Sequence, residues 1–329
     1  MEPNLTTNDT QYEALQEGRP CFISEFPRSV QSQFSYYSSL VLTPATTILG
    51  LWCFLSNGLV LVTILRGGLR FRPGFLYLCS LTLTDVLWGG VVTPLYIRFR
   101  IEELIAGEAC FNRSDWDSPV MVVSFFLCLF AMVGTLGVMS VDRYLAVIKP
   151  WWYKAAMKMQ YAITASSTVW VTSIFLVVLR QVKLFPRRAV ETFEGGYIIC
   201  FSTIVIAIQL CTLAALRKHN NAVAQKMEES SRVNPNLASQ EIERQLAATT
   251  RHVVSLLGLC IIPIAILVGL SNVLQREFIL FVEPFYFPVA SLCSSMNPVL
   301  YYKGNSVIRE GIKKLVNCHS LKCFDSQNE

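Results

Sequence analysis

Long stretches without a charge alternate with short polar ones along this chain. Ser29–Leu65, Ser118–Val141, Met159–Leu179, Gly195–Leu216 and Val253–Gln275 contain no Asp, Glu, Lys or Arg. Two further stretches carry one acid each, Asp85 in Pro73–Ile97 and Glu283 in Phe278–Tyr302. Helices lying on a soluble core would show polar faces at helical spacing, and these runs do not. A helix crosses the bilayer core in about 20 mainly apolar residues. The pattern therefore predicts an all-α fold, a seven-transmembrane helix bundle. Its spans are expected at about 40–65, 74–97, 118–141, 159–180, 195–216, 251–274 and 278–302.

Composition agrees. Of 329 residues 53% are hydrophobic and only 16% charged, against about 25% charged in soluble domains. Disordered, fibrous and nucleic-acid-binding classes are excluded with the soluble ones, since none carries apolar runs of membrane length. Seven spans put the two ends on opposite sides. With the N-terminus outside, inner segments hold 18 of the 28 Lys and Arg and outer segments 10, which is the positive-inside arrangement. The chain then divides into an extracellular tail (1–39), the transmembrane domain (40–302) and a cytoplasmic end (303–329). Sequons at Asn4, Asn8 and Asn112 all fall outside, as glycosylation requires. Met1–Glu25 is polar, without the apolar core of a cleavable signal. Of 11 cysteines, Cys21 and Cys110 lie clearly outside, where disulfides form. Cys53, Cys79, Cys128, Cys200, Cys211, Cys260 and Cys293 sit in or at the ends of spans, where small apolar packing is the usual role. Cys318 and Cys323 follow a short basic stretch inside and are palmitoylation candidates, the competing reading being two idle thiols.

A charge within a span costs roughly 2.5–3.5 kcal/mol on the insertion scale, so each needs a reason. Asp85 lies mid-span and must face the bundle interior, as an ion, proton or water site or as a structural acid bonded to a neighbouring helix. Asn57 and Asn297 are suitable partners on other helices, and together the three form a polar core. Pro263 and Pro298 each remove a backbone hydrogen bond and mark kinks or hinges. Asp142, Arg143 and Tyr144 stand at the inner end of the third span. Glu243 lies 20 residues before Pro263, about 30 Å down a helix, at the inner end of the sixth. If those ends touch, Arg143 can pair with Asp142 or with Glu243; otherwise this is a plain charged boundary.

Seven spans with an outside N-terminus resemble the rhodopsin-like (class A) G-protein-coupled receptors. The resemblance rests on Asn57, on Leu81 with Asp85, on Asp142-Arg143-Tyr144, on Trp170, on Pro263 and on Asn297-Pro298-Val299-Leu300-Tyr301, each on the matching span. It covers residues 40–318, and the basic amphipathic stretch Asn305–Val316 looks like the family's short eighth helix. By this resemblance Asp142, Arg143, Tyr144, Glu243, Pro263, Asn297, Pro298 and Tyr301 form the activation switch that couples to a G protein.

Departures from the family pattern are informative. The usual cysteine at the outer tip of span three is Ser118, and Gln181–Glu194 has none. Two pairings stay open: Cys110 with Cys21, or Cys110 with Cys200. Span five lacks the usual proline, which together with the missing bridge resembles the branch holding melanocortin, cannabinoid and lysophospholipid receptors. The familiar Cys-Trp-x-Pro reads Cys260-Ile261-Ile262-Pro263. Around Asp85 the family's sodium pocket supplies Met132, Cys293 and Ser294, a set poor in the hard oxygens that sodium needs. Phe125 stands where amine receptors carry an aspartate, and no lysine lies between Phe278 and Tyr302. The resemblance thus argues against biogenic amines and excludes a retinal Schiff base in that span. Arg98, Arg100, Arg180, Lys183, Arg187 and Arg188 form a basic set at the outer mouth, opposed by Glu102, Glu103 and Glu283. The expected ligand pocket includes Phe125, Ile261, Glu283, Arg98 and Arg180.

The function expected is a plasma-membrane receptor that transduces an extracellular ligand signal to heterotrimeric G proteins by outward movement of the sixth helix. Arrestin and membrane lipid are further partners, and no nucleic acid is expected. No catalytic residue, cofactor or metal is expected, since no nucleophile–base pair or ligand cluster is visible. The alternatives are a ligand-independent or decoy protein of the same fold, or a seven-span transporter or channel. The last would be expected to show inverted repeats or several pathway charges.

Overall fold

The computed structural model describes residues 28–106, 117–182, 186–229 and 276–317. Among these residues the regular structure is entirely helical. In chain order it comprises α1 (Arg28–Arg66), α2 (Pro73–Leu87), α3 (Thr93–Ala106), α4 (Asp117–Ile148), α5 (Pro150–Ala156), α6 (Met159–Gln181), α7 (Arg187–Glu229), α8 (Arg276–Gly304) and α9 (Ser306–Asn317). The stretch expected as span six, 251–274, lies outside the described residues.

Among the described residues, four segments are long and apolar enough to cross a membrane: Tyr37–Arg66, Pro73–Glu102, Pro119–Ala146 and Met159–Gln181. A shorter apolar helix runs over Thr192–Ile208. Their surfaces are turned the opposite way from those of a soluble protein. Ile48 is 70% exposed, Val171 66% and Phe175 58%, whereas Asp85, Asn57, Asn297 and Ser291 are buried. An outward apolar face of this extent suits lipid and not water.

The breaks between helices follow from their residues. Gly68 adopts φ 65°, a left-handed conformation that glycine reaches without strain. It closes the turn after α1, and Pro73 then starts α2 where a missing N–H costs nothing. Pro150 starts α5 in the same way. The second span is α2 and α3 joined by one π turn, Trp88–Val92. Pro94 causes it: with no N–H, and with a ring that clashes with the carbonyl four residues back, it forces a wider turn. Thr93 follows by donating its backbone N–H and its hydroxyl to the Trp88 carbonyl, the latter at 3.0 Å. Asn305 caps α9, its Oδ1 accepting from the N–H groups of Val307 at 3.0 Å and Ile308 at 3.2 Å.

The third span, α4, is central and packs against α2, α6 and α7, while α1 packs against α2, α8 and α9. The core follows α4, with Phe130, Met132, Val133, Leu136 and Met139 buried against Leu78, Leu81 and Tyr301. Helices α1 and the π turn approach so closely that a Cβ on Gly89 would lie 2.7 Å from both the Gly50 carbonyl oxygen and the Phe54 nitrogen.

Cysteine placement revises two expectations. Cys200 is an exposed free thiol on α7, which removes the Cys110–Cys200 pairing, because the side chain faces outward from the bundle. Cys293 is disulfide-bonded instead of serving as a packing thiol; it is 1% exposed and faces the interior, where another segment can reach it. Its partner, like Cys21, Cys110, Cys318 and Cys323, lies outside the described residues.

Gly89→Val is expected to cost about 1–3 kcal/mol or more through overpacking against backbone that cannot yield. Gly58, whose added Cβ would meet nothing within 4 Å, is the control: Gly58→Ala should be neutral or stabilising by about 0.5–1 kcal/mol. Thermal midpoints of the two detergent-purified variants check the contrast.

Candidate functional site

A buried polar cluster joins α1, α2 and α8. Asp85 on α2 is 1% exposed, and its Oδ2 accepts a hydrogen bond from Asn297 Nδ2 at 2.7 Å. The Ser294 side chain hydrogen-bonds the same carboxyl group. Asn57 on α1 donates from Nδ2 to the carbonyls of Cys53 at 3.0 Å and Ser294 at 3.1 Å. Pro298 explains why Ser294 can accept: a proline lacks the N–H that would otherwise occupy the carbonyl four residues back. One missing donor in α8 thus becomes a link to α1. Cys53 completes the knot by donating its thiol to the Asp85 carbonyl at 3.3 Å.

Three tryptophans extend the stitching. Trp52 Nε1 donates to the Ser295 carbonyl and Trp88 Nε1 to Ser291 Oγ, each at 3.1 Å, joining the first two spans to α8. Trp170 Nε1 donates to Ser80 Oγ at 3.0 Å, and Ser80 bonds Thr135 at 3.1 Å, so α6, α2 and α4 share one chain of bonds.

Towards the C-terminal end of α4, Asp142 and Arg143 are both 2% exposed. The guanidinium folds back on its neighbour, Nη2 and Nε lying 2.6 and 2.9 Å from Asp142 Oδ2. The other carboxylate oxygen, Oδ1, accepts from the Tyr153 hydroxyl at 2.7 Å. Tyr153 belongs to α5, the short helix after the third span. Tyr144 is half-buried beside them, and Tyr301 is fully buried on α8. Glu243 and Pro263 lie outside the described residues, so the described partner of Arg143 is its own neighbour.

The half of the bundle away from Asp142 holds a continuous run of aromatic rings. Tyr96 stacks on Phe287 at 4.0 Å between centroids, and Phe287 meets Trp88 at 5.8 Å and Phe125 at 5.1 Å. Phe125 continues to Phe126, Phe130, Tyr197 and Phe201 on the far side. Phe125 is thus central to an aromatic floor. Arg98 points outward and pairs with half-buried Glu102 at 2.9 Å. Arg180 pairs with Glu194 on α7 and lies 4.0 Å over the Phe126 ring. Arg100 is buried, its Nε donating to the Tyr96 hydroxyl at 3.0 Å. Glu283 falls on α8, and Ile261 lies outside the described residues, as do Asn4, Asn8 and Asn112. No group of three or more His, Cys, Asp or Glu side chains that could hold a metal occurs among the described residues.

Tyr153, Trp88, Phe287 and Tyr96 were not singled out from the sequence. A tyrosine in a loop and aromatics in a span carry no signal there beyond ordinary packing.

Apolar helices wrapped around bonded polar residues, with an ion pair buried at one end, define a multi-pass membrane protein. The family described as "7 transmembrane receptor (rhodopsin family)" matches residues 56–301. The chain is 27% identical over 277 residues to cannabinoid receptor 2 of Mus musculus, covering 80% of this chain and 77% of that one. It is 26% identical over 293 residues to the Homo sapiens cannabinoid receptor 2, covering 84% and 78%. Proteinase-activated receptor 1 of Xenopus laevis is 24% identical over 284 residues, covering 76% and 60%. The chain belongs to the rhodopsin-like (class A) family of seven-transmembrane receptors, near its cannabinoid branch. It is a signalling receptor, and its family is one of receptors and not of enzymes.

Asp85→Ala leaves the Asn297 amide without its buried acceptor and is expected to cost about 1–3 kcal/mol. Asp85→Asn retains an oxygen for Asn297 and should cost less. The ranking is checked by thermal midpoint and surface expression; equal losses would mean that the Asn297 bond contributes nothing.

Proposed function

We propose that this receptor resides in the plasma membrane with its N-terminus outside, and couples an extracellular ligand to heterotrimeric G proteins. The observation that carries the reading is Arg143: a cation buried at the inner end of the central helix and folded onto Asp142. A bond of this kind is one of two arrangements open to the same guanidinium. In the resting state Glu243 on span six joins it. Ligand binding swings span six outward around Pro263, the pair opens, and Arg143 meets a segment of the G-protein α subunit. Asn297, Pro298 and Tyr301 repack at the same time. Asn57 Oδ1, Asn297 Oδ1 and the Tyr301 hydroxyl have no hydrogen-bond partner among the described residues, and ordered water is the natural link between them. Tyr144 flanks the opened crevice, and arrestin competes for it.

On this reading 1–39 is an outer tail glycosylated at Asn4 and Asn8, and Asn112 carries a glycan on the first outer loop. A Cys21–Cys110 disulfide ties that tail to the loop. Residues 303–329 lie inside, with α9 along the inner leaflet and Cys318 and Cys323 acylated beside it. The ligand sits between the outer ends of spans two, three, six and seven, against Phe125, Ile261 and Glu283. Its recognition is chiefly apolar, because Arg98 and Arg180 are already neutralised by Glu102 and Glu194. Relatives named for cannabinoids fit this chemistry and set the first class to screen. Moving the receptor from 1% to 99% active would require about 5.5 kcal/mol of differential binding.

The test is ligand-free second-messenger output in transfected cells at matched surface expression. Arg143→Ala is expected to abolish basal output. Glu243→Ala removes a charge-assisted bond of about 1.5–3 kcal/mol from the resting state alone, and should raise output on the order of tenfold. Basal signalling that Arg143→Ala leaves intact would sink coupling through this residue.

A further inference from the structure

Helix α5 presents opposite chemistry on its two faces. Tyr153 points inward, 9% exposed, and bonds Asp142. Trp151, two residues earlier and therefore about 200° around the helix, is 86% exposed, and Trp152 between them is 54% exposed. Two adjacent exposed indoles are costly in water and suit the membrane interface, where a ring with one polar edge is at home. Their setting selects lipid over a cytosolic protein. Exposed apolar residues continue on both sides, with Val141 and Ile148 at the end of α4 and Tyr161 and Ile163 at the start of α6. From Arg143 to Val190 the chain contains no acid, and Lys149, Lys154 and Lys158 bracket the tryptophans. That charge complements an anionic leaflet.

We propose that α5 is an inner-leaflet anchor: Trp151 and Trp152 insert at the interface, the lysines engage anionic headgroups, and the seated helix holds Tyr153 on Asp142. Lipid charge thereby stabilises the resting form of the Arg143 switch. The inner-leaflet placement rests on the orientation proposed above and the regulatory half on the coupling; the lipid contact itself rests on neither.

The experiment uses the full-length receptor in nanodiscs of phosphatidylcholine, with or without phosphatidylserine, and in lipid brominated near the headgroup. Without G protein, bromolipid should quench a fluorescence component that Trp151→Ala/Trp152→Ala removes, in excess of the background from the other four of the six tryptophans. Basal nucleotide exchange on added G protein should fall on the order of fivefold with phosphatidylserine, the scale of one lysine near a charged surface. That dependence should shrink in the tryptophan pair variant and in Lys149→Gln/Lys154→Gln/Lys158→Gln. It should also shrink in Tyr153→Phe, which keeps the anchor but lacks the bond; any remainder there measures the action of lipid on the G protein itself. Trp151 and Trp152 unquenched in the receptor alone, and altered only when G protein is added, would make the face a protein-docking surface and overturn the anchor. Quenching with exchange indifferent to phosphatidylserine overturns the regulatory half. Absent exchange in every variant would fail the coupling reading, while quenching still decides the anchor.

Discussion

Lipid tails offer a buried polar group nothing to bond with, and most of this architecture follows from that constraint. A side chain such as Asp85 or Asn57 would be expensive on a helix standing alone, so each must find its partner on another span. Asp85 takes Asn297 and Ser294, Asn57 takes the Ser294 carbonyl, and the indoles of Trp52, Trp88 and Trp170 take serines or their carbonyls. Hydrophobicity tells these helices to enter the membrane but says little about which faces meet, since lipid is as apolar as leucine. The polar bonds, with small residues such as Gly89 that let backbones approach, settle the pairing.

The same constraint shapes how the bundle can move. A pair that is buried and bonded has few intermediate positions, so its rearrangements are between discrete partners. Proline makes this concrete at two places. Pro298 frees the Ser294 carbonyl for a bond to another helix, and Pro94 widens one turn so that Trp88 reaches Ser291 and the aromatic cluster together. At Pro298 the lost backbone bond is replaced by one between spans, so the helix is weakened locally while the bundle is tied more firmly.

How much of this was readable beforehand differs by kind of residue. The spans could be read because charge-free runs of membrane length need no knowledge of neighbours. The need of Asp85 for a partner could be read for the same reason: its expense is local. The identity of partners could not be read where the group has an ordinary alternative. Trp88 and Phe287 look like packing residues until the π turn aims one at the other. Tyr153 sits among loop residues, and only the return of α5 beneath the third span brings its hydroxyl to Asp142. Arg100 and Arg98 are two positions apart and formally alike, yet one is buried against Tyr96 and the other pairs in the open with Glu102. Helical phase relative to unseen neighbours decides that.

The two ends of the bundle solve their electrostatics differently. At one, Arg180 is paired with an acid on another helix and braced by a ring. Its charge is used in holding α6 to α7 beside the run of aromatic rings. At the other the carboxylate and the guanidinium are neighbours in sequence, so their pairing ties no two spans together. What ties Asp142 to another element is the Tyr153 hydroxyl on α5. The Arg180–Glu194 bond joins two helices and the Asp142–Arg143 bond joins none, so losing the second bond would cost the packing of the helices less than losing the first.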